Sequence, residues 1–436
     1  MRYASLLLFS FASALFARAE SRLVAFDPPD PTSRTPVLAH VHIPNYSCGI
    51  DHTTVSRDGS SIRIAVFVRQ VECIRASNAD FTVDLGVLPA GIYGVSIVHG
   101  EQTSEVPPIA AIAVRDANPP FELRPNAGAS GADIISIIGP NMIDTTAVRF
   151  GPLAAEIVSL GFGGGRVKSP ALAPGIYDVT IEKPSGTLHS TAAYGMPDPE
   201  SMSIPAEFYE RVLLPVFWSG PGAFGAQWAT NAAMYNGNEY PITPAFTSVF
   251  LSSCVPSCDR RPAANGTTSV VANANALGGV VEELPRQAMP RLDLALNIRD
   301  TSRDAQDLGS QVPVVRESDL FARPFSILNV PNDPRYRVTL RLYSLTGRGE
   351  FTVRIYRGDT QEPAVKTFVV LTPQASLRGG AFASIDNLLA GYRQLDGATA
   401  VRVEIDPIES SGNKSAWGFV SVTNNDTQHV TVISPQ

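Results

Sequence analysis

The stretch Leu88-Pro-Ala-Gly-Ile-Tyr-Gly-Val-Ser-Ile97 returns further along the chain as Leu172-Ala-Pro-Gly-Ile-Tyr-Asp-Val-Thr-Ile181. Each copy opens on a Pro/Gly turn and runs into residues that alternate in polarity, the period-two signature of a half-buried strand. In the second copy Tyr177, Val179 and Ile181 make the better core face, while Ile176, Asp178 and Thr180 point the other way. The two copies lie about one small sandwich domain apart, which predicts two tandem β-sandwich units.

Working outward, Ser61-Ile-Arg-Ile-Ala-Val-Phe-Val68 and Phe81-Thr-Val-Asp-Leu85 repeat the strand pattern within a first unit at 20–119. Residues 116–120 read as a linker. The chain holds 34 glycines and 35 prolines in 436 residues, with 17% charged. Punctuation that dense suits short strands joined by turns rather than long helices. Its net charge of −7 gives no electrostatic reason to hold nucleic acid.

Residues 1–19 read as an export signal. Arg2 supplies the positive start, Leu6 to Phe16 the apolar run, and Ala17-Arg18-Ala19 the cleavage site. The run is shorter than the about 20 apolar residues of a membrane span. The mature chain is therefore expected to be secreted or periplasmic, with no membrane insertion after cleavage. Four cysteines in an exported chain favour disulfides. Local pairing, Cys48 with Cys73 and Cys254 with Cys258, is the expectation.

Within 120–196 a family resemblance is visible. Gly131 precedes the strand Ile134-Ile-Ser-Ile-Ile138, followed by Gly139-Pro-Asn141, Val148-Arg-Phe-Gly151, Pro170, the Pro174 to Ile181 strand and Pro184-Ser-Gly186. In order and spacing this set resembles an IPT/TIG domain, the early-set immunoglobulin-like module of bacterial surface proteins, plexins and some transcription factors. The resemblance implies an immunoglobulin-like sandwich. Gly161-Phe-Gly-Gly-Gly165 departs from the family's more regular strand and is expected to be a flexible loop.

The remainder is expected to form sandwich units of jelly-roll-like type at 203–300 and 301–436, either two related sandwiches or two halves of one larger assembly. Ala226 to Asn236, Arg335 to Ser344 and Phe351 to Tyr356 read as strands. Phe382, Ile385, Leu388, Leu389 and Tyr392 share helical spacing, which predicts one helix at 382–392. This half resembles the C-terminal half of secreted proteins of acidobacteria-type soil bacteria. The resemblance rests on Pro221 to Gly225 with Trp228 and Thr230, the Cys254/Cys258 pair, Pro313 to Glu317 and Trp417 to His429. It brings no activity with it.

His40 and His42 share a strand face and His52 lies nearby, but a fourth ligand is missing, so no metal site is expected. Asp300, Asp304 and Asp307 lack the ligand number and spacing of a calcium loop. Glu282-Glu283 reads as a surface pair. Gly220-Pro-Gly-Ala-Phe-Gly225 fits the dinucleotide pattern, but Pro215 and Pro221 spoil the βαβ context, leaving a plain turn. No Gly-x-Ser-x-Gly elbow exists. The chain is accordingly expected to be non-catalytic and to need no cofactor.

Trp218, Trp228 and Trp417, with Tyr235, Tyr336 and Tyr343, are read first as core fillers. Trp218, followed by Ser-Gly-Pro-Gly222, is the most loop-borne and the best candidate for ligand contact. The sequence thus points to a binding or adhesion protein of the envelope or extracellular space, with polysaccharide or surface protein as ligand. A structural spacer is the second reading, and a hydrolase with an unrecognised site in the C-terminal half the third.

Overall fold

The computed structural model describes residues 24–46, 49–68, 77–100, 106–128, 132–139, 141–200, 204–246, 249–250, 262–272, 275–276, 278–303, 309–358, 360–408 and 415–435. The export signal at 1–19, Gly131, all four cysteines (Cys48, Cys73, Cys254, Cys258), Asp304 and Asp307 lie outside the described residues. The protein is all-β, a series of two-sheet sandwiches, as the turn-rich sequence predicts.

In the first unit, strands Val24–Asp27, Pro36–Tyr46 and Ser77–Val87 form one sheet. Ile50–Asp58, Ser61–Val68, Gly91–His99 and Ala110–Val114 form the other. Val37, Val41, Ile62, Ile64, Val95 and Ile112 fill the space between them. The second unit stacks the sheet of Ala147–Phe150, Leu153–Ala154, Gly175–Lys183 and Gly186–Met196 on that of Glu122–Arg124, Ile134–Ile138, Glu156–Gly161 and Gly164–Lys168. Its core centres on Ile135, Ile137, Val148, Phe150, Val179, Ile181 and Tyr194.

The repeated Gly-Ile-Tyr stretch does the same local job twice. The Tyr93 hydroxyl donates to the Pro89 carbonyl at 2.9 Å, and the Tyr177 hydroxyl to the Ala173 carbonyl at 2.6 Å. Each tyrosine clasps the turn that launches its strand, much as a tyrosine corner does. The pairing around that strand differs, however. Gly91–His99 runs parallel to Ser61–Val68, whereas Gly175–Lys183 is antiparallel to Ala147–Phe150. The tandem units share the sandwich but not the strand order.

Gly161 to Gly165 is not a loop. It is the tight hairpin between Glu156–Gly161 and Gly164–Lys168. A Cβ on Gly164 would sit 2.2 Å from the Ile137 carbonyl oxygen. Glycine is needed there because the neighbouring strand's backbone occupies the side-chain position.

Among the described residues the C-terminal half contains four sheets. Tyr209–Leu214, Val280–Pro285 and Val315–Arg316 make one. A second is built around Gln227–Asn236, with Phe217–Pro221, Gly266–Val271, Asn275–Ala276, Leu292–Asp300 and Ser310–Gln311. Because Ser310–Gln311 and Val315–Arg316 complete these two sheets, the unit expected to end at 300 extends past 316. The third sheet holds Phe325–Pro331, Glu350–Arg357, Val365–Val370 and Ala400–Pro407. The fourth holds Tyr336–Ser344, Thr372–Pro373, Ala381–Ile385, Trp417–Asn424 and Val430–Ile433.

That fourth, five-stranded sheet is apolar on both faces. Leu340, Leu342, Val420 and Val422 enter the core of the last sandwich, while Tyr343, Trp417 and Phe419 enter the core of the preceding one. The Tyr343 hydroxyl donates to the Pro215 carbonyl across this joint.

The same arrangement explains why 382–392 is not the predicted helix. Phe382 lies on a strand and packs beside Tyr343, with ring centroids 5.0 Å apart. Leu388 and Leu389 turn into the opposite core. Two cores on either side of one sheet draw in apolar residues at helix-like spacing, and the left-handed conformations of Asn387 and Gly391 end any helical run.

The units touch one another. The Tyr209 hydroxyl donates to the Gly128 carbonyl at 2.8 Å, and Gln287 Nε2 to the Leu123 carbonyl at 2.9 Å. The Ala113 amide donates to Glu207 at 3.3 Å. No helix among the described residues is long and apolar enough to cross a membrane.

Candidate functional site

The sequence candidates separate in space. His40 and His42 lie on Pro36–Tyr46, bonded to Thr82 at 3.0 Å and Asp80 at 2.9 Å. His52 belongs to the opposite sheet, bonds Asp51 at 2.9 Å and stacks on Phe67. Among the described residues no group of three or more His, Cys, Asp or Glu is placed to hold a metal.

Asp300 is buried and accepts from the Gln227 amide at 2.8 Å and the Ser302 hydroxyl at 2.7 Å. Burial opposes its charge, but these bonds and Arg303 outweigh it and hold the carboxyl below the usual range. It ties down a strand end.

Glu282 and Glu283 are not a surface pair. Both are buried, on the strand Val280–Pro285, which pairs with Tyr209–Leu214. Glu283 is 4% exposed, and burial pushes its carboxyl up to about 7, against the pull of Arg378 and Arg211. Arg378 lies 3.3 Å from it. Glu210, on the adjacent strand, is held by Arg316 and Ser318, each at 2.9 Å. These charges join sheets together. Each is engaged by a neighbour.

Gly220 to Gly225 is a hairpin tip closed by the Gly222 amide on the Ala226 carbonyl at 2.7 Å, with no helix after it beyond one 3-10 turn. Trp218 lies on the strand Phe217–Pro221 rather than in a loop. It is half-buried against the core, its indole filling the side-chain space above Gly220. Trp228 lies likewise against Gly222. Trp417 is buried, as expected of a core filler.

Tyr235 departs from that expectation. On Gln227–Asn236 the even-numbered Thr230, Ala232 and Met234 are fully buried, so the odd-numbered residues face solvent. Tyr235 is 42% exposed. The strand registers set this outer face into cross-strand rows. Thr267, Tyr235 and Asp293 form the first; Ser269, Ala233 and Ala295 the second; Val271, Asn231 and Asn297 the third.

The middle row carries only small side chains. It is the floor of a shallow trough crossing three strands, about 10 Å long at ordinary strand spacing. Each wall stands about 7 Å from the floor, two residues along the strand. One wall offers an aromatic ring and a hydroxyl, the other two carboxamides. Within the chain the side chains of Tyr235, Asn231 and Asn297 have no hydrogen-bond partner among the described residues. The first wall also carries the carboxylate of Asp293, and Arg299 stands one row beyond the second wall on the same strand, so the trough gathers no positive charge of its own.

The trough was missed in the sequence because the alternation Gln227-x-Ala-x-Asn-x-Ala-x-Tyr235 has no strongly polar face. Alanines on the solvent side mimic core residues. The signal that remained was the inward alternation Thr230, Ala232, Met234, which forces Tyr235 outward.

No family model matches this chain, and no curated protein matches it. Among solved structures it is similar to the surface glycan-binding protein PbSGBP-B from Prevotella bryantii, at 8% identity over 71% of this chain and 94% of that one, with a TM-score of 0.15. It is also similar to SGBP-B from a complex xyloglucan utilization locus in Bacteroides uniformis, at 10% identity over 94% of this chain and 98% of that one, with a TM-score of 0.18. Likeness at these scores carries no argument about what the chain does.

Proposed function

We propose that this chain is an exported, non-catalytic binding protein that holds a neutral polysaccharide in the trough on the outer face of Gln227–Asn236. The observation that carries the reading is the row of Ser269, Ala233 and Ala295 between Tyr235 on one side and Asn231 and Asn297 on the other. A pyranose presents C–H faces that pack on an aromatic ring and hydroxyls that both donate and accept. A carboxamide answers a hydroxyl in either sense. An uncharged glycan is favoured over a polyanion because the trough adds no net positive charge and the chain carries −7. In the same reading 120–196 is an IPT/TIG-like unit, and the place of action is the cell envelope or the medium.

The test is retention of the mature protein on insoluble or gel-embedded polysaccharides. Tyr235→Ala and the Asn231→Ala/Asn297→Ala pair are expected to weaken retention at least tenfold, while Trp218→Ala leaves it unchanged. Equal retention of Tyr235→Ala and the parent protein would sink the trough. If Trp218→Ala alone abolishes retention, the site is the hairpin instead.

The spacer reading draws on a separate observation, the hydrogen bonds of Tyr209 and Gln287 that pin the second unit to the C-terminal half. Such joints would hold a binding face at a fixed distance from whatever the first unit touches.

A further inference from the structure

We infer that the free edge of the strand Val365–Val370 pairs with the same edge of a second copy of this chain, so that two molecules share one continuous sheet about a two-fold axis at Phe368. Val365–Val370 ends the third sheet of the C-terminal half, whose order runs Phe325–Pro331, Ala400–Pro407, Glu350–Arg357, Val365–Val370. The hydrogen-bond phase decides which residues face outward. The Ile408 amide donates to the Glu350 carbonyl at 2.9 Å, so Glu350, Thr352, Arg354 and Tyr356 turn their backbone groups toward Ala400–Pro407. Phe351, Val353 and Ile355 are left for Val365–Val370, and the Leu371 amide on the Gly349 carbonyl at 2.9 Å keeps that phase. Val365, Thr367 and Val369 answer them. The amides and carbonyls of Lys366, Phe368 and Val370 therefore point off the sheet, and among the described residues no group meets them.

Exposed edges are ordinarily blunted by bulges, prolines or charges. The opposite edge of this sheet is blunted in that way, since Phe325–Pro331 shifts register between Ile327 and Val330 and ends on Pro331. Val365–Val370 keeps its register without a break. Its outer side chains are mostly apolar, with Phe368 64% and Val370 45% exposed. The one charge on it, Lys366, lays its ammonium 5.5 Å from the centroid of the Phe368 ring.

Charge and register together select a second copy as the occupant. Two antiparallel copies centred on Phe368 set Lys366 of one opposite Val370 of the other and the two Phe368 rings side by side. Each outward residue then exchanges both of its backbone hydrogen bonds with the residue facing it. Val370 faces Glu350 within its own sheet. Lys366 of one copy and Val370 and Glu350 of the other thus fall in one row on one face. The lysine and glutamate Cβ atoms stand about 10 Å apart, two strand spacings, which the combined reach of the side chains closes. Symmetry makes this pair twice. Elsewhere on that face the charges are matched within the chain, Arg354 with Glu404 at 3.0 Å and Asp406 at 2.7 Å, and Arg402 with Glu404 at 2.9 Å. Lys366 and Glu350 have no ion-pair partner among the described residues. An unrelated extended peptide would gain the backbone bonds but not the doubled charge match. So short a contact belongs with weak interfaces of less than about 1,200 Å², and monomer and dimer should exchange at about 10–100 µM.

The experiment is sedimentation velocity on the full mature chain from about 5 to about 500 µM, a range that brackets such an affinity. The parent should pass from monomer toward twice that mass as concentration rises. Phe368→Pro removes an amide that faces the open edge and spares the ladder to Glu350–Arg357. It should stay monomeric while still unfolding cooperatively. Lys366→Glu and Glu350→Lys should each weaken dimerisation about tenfold, because two attractions become two repulsions, and the two changes together should restore it. Tyr235→Ala should dimerise as the parent does, which keeps this inference separate from the trough. The inference is overturned if the parent stays monomeric throughout, if Phe368→Pro dimerises equally well, or if the double charge reversal fails to recover what the single ones lose.

Discussion

Glu283 offers a sharp test of the reasoning, because its environment ties stability to pH with a definite sign. In the unfolded chain its carboxyl titrates at the ordinary 4.5; in the folded protein burial pushes it up to about 7. Between those values the folded state binds more protons than the unfolded one, so stability falls as pH rises. The stabilisation is fully present below about 4.5 and is lost as pH climbs through about 7. A shift of that size corresponds to about 3 kcal/mol at 1.36 kcal/mol per pH unit. In Glu283→Gln this pH dependence disappears. The variant's stability relative to the parent should therefore improve by about 3 kcal/mol between pH 4 and pH 8. Urea unfolding followed by tryptophan fluorescence measures this cleanly, because Trp218, Trp228 and Trp417 all lie in the C-terminal half. Parallel pH profiles for the two proteins would refute the argument, since Glu283 would then be ionised in both states.

Other outcomes follow from particular contacts. Tyr93→Phe and Tyr177→Phe should each cost about 1 kcal/mol, the worth of one hydrogen bond, read as a lower urea midpoint for that unit. Gly164→Ala should destabilise the second unit by about 1–3 kcal/mol, because the added carbon lands on the Ile137 carbonyl; circular dichroism melting would detect it. Tyr209→Phe leaves the Gly128 carbonyl without its donor and should raise hydrogen exchange at the joint between the second unit and the C-terminal half. Phe382→Ala, at a half-buried position, should cost about 2 kcal/mol in the C-terminal half alone, measured by the same fluorescence transition.

The all-β architecture was legible because period-two alternation and turn residues are local. Gly175–Lys183 and Tyr336–Ser344 could be read as strands from their own residues. What the alternation does not encode is which strand lies beside which. The parallel pairing of Ser61–Val68 with Gly91–His99 depends on residues far apart in the chain, and nothing in either stretch announces it. The burial of Glu283 was hidden for the same reason. Adjacent charges look solvated until Arg211 and Arg378 arrive from distant segments to answer them. The 382–392 error had another origin, in that two cores recruited one segment. The trough escaped notice because two alanines and a serine become a floor only after three strands are laid side by side.

The five-stranded sheet has a consequence for anyone dividing the chain. Cutting between Asp300 and Ser326 would strip Tyr343, Trp417 and Phe419 of their cover and expose a contiguous aromatic patch to water. The fragment so made would be expected to self-associate, and its partner to lack one wall of its interior. The C-terminal half should therefore be expressed, melted and crystallised as one piece.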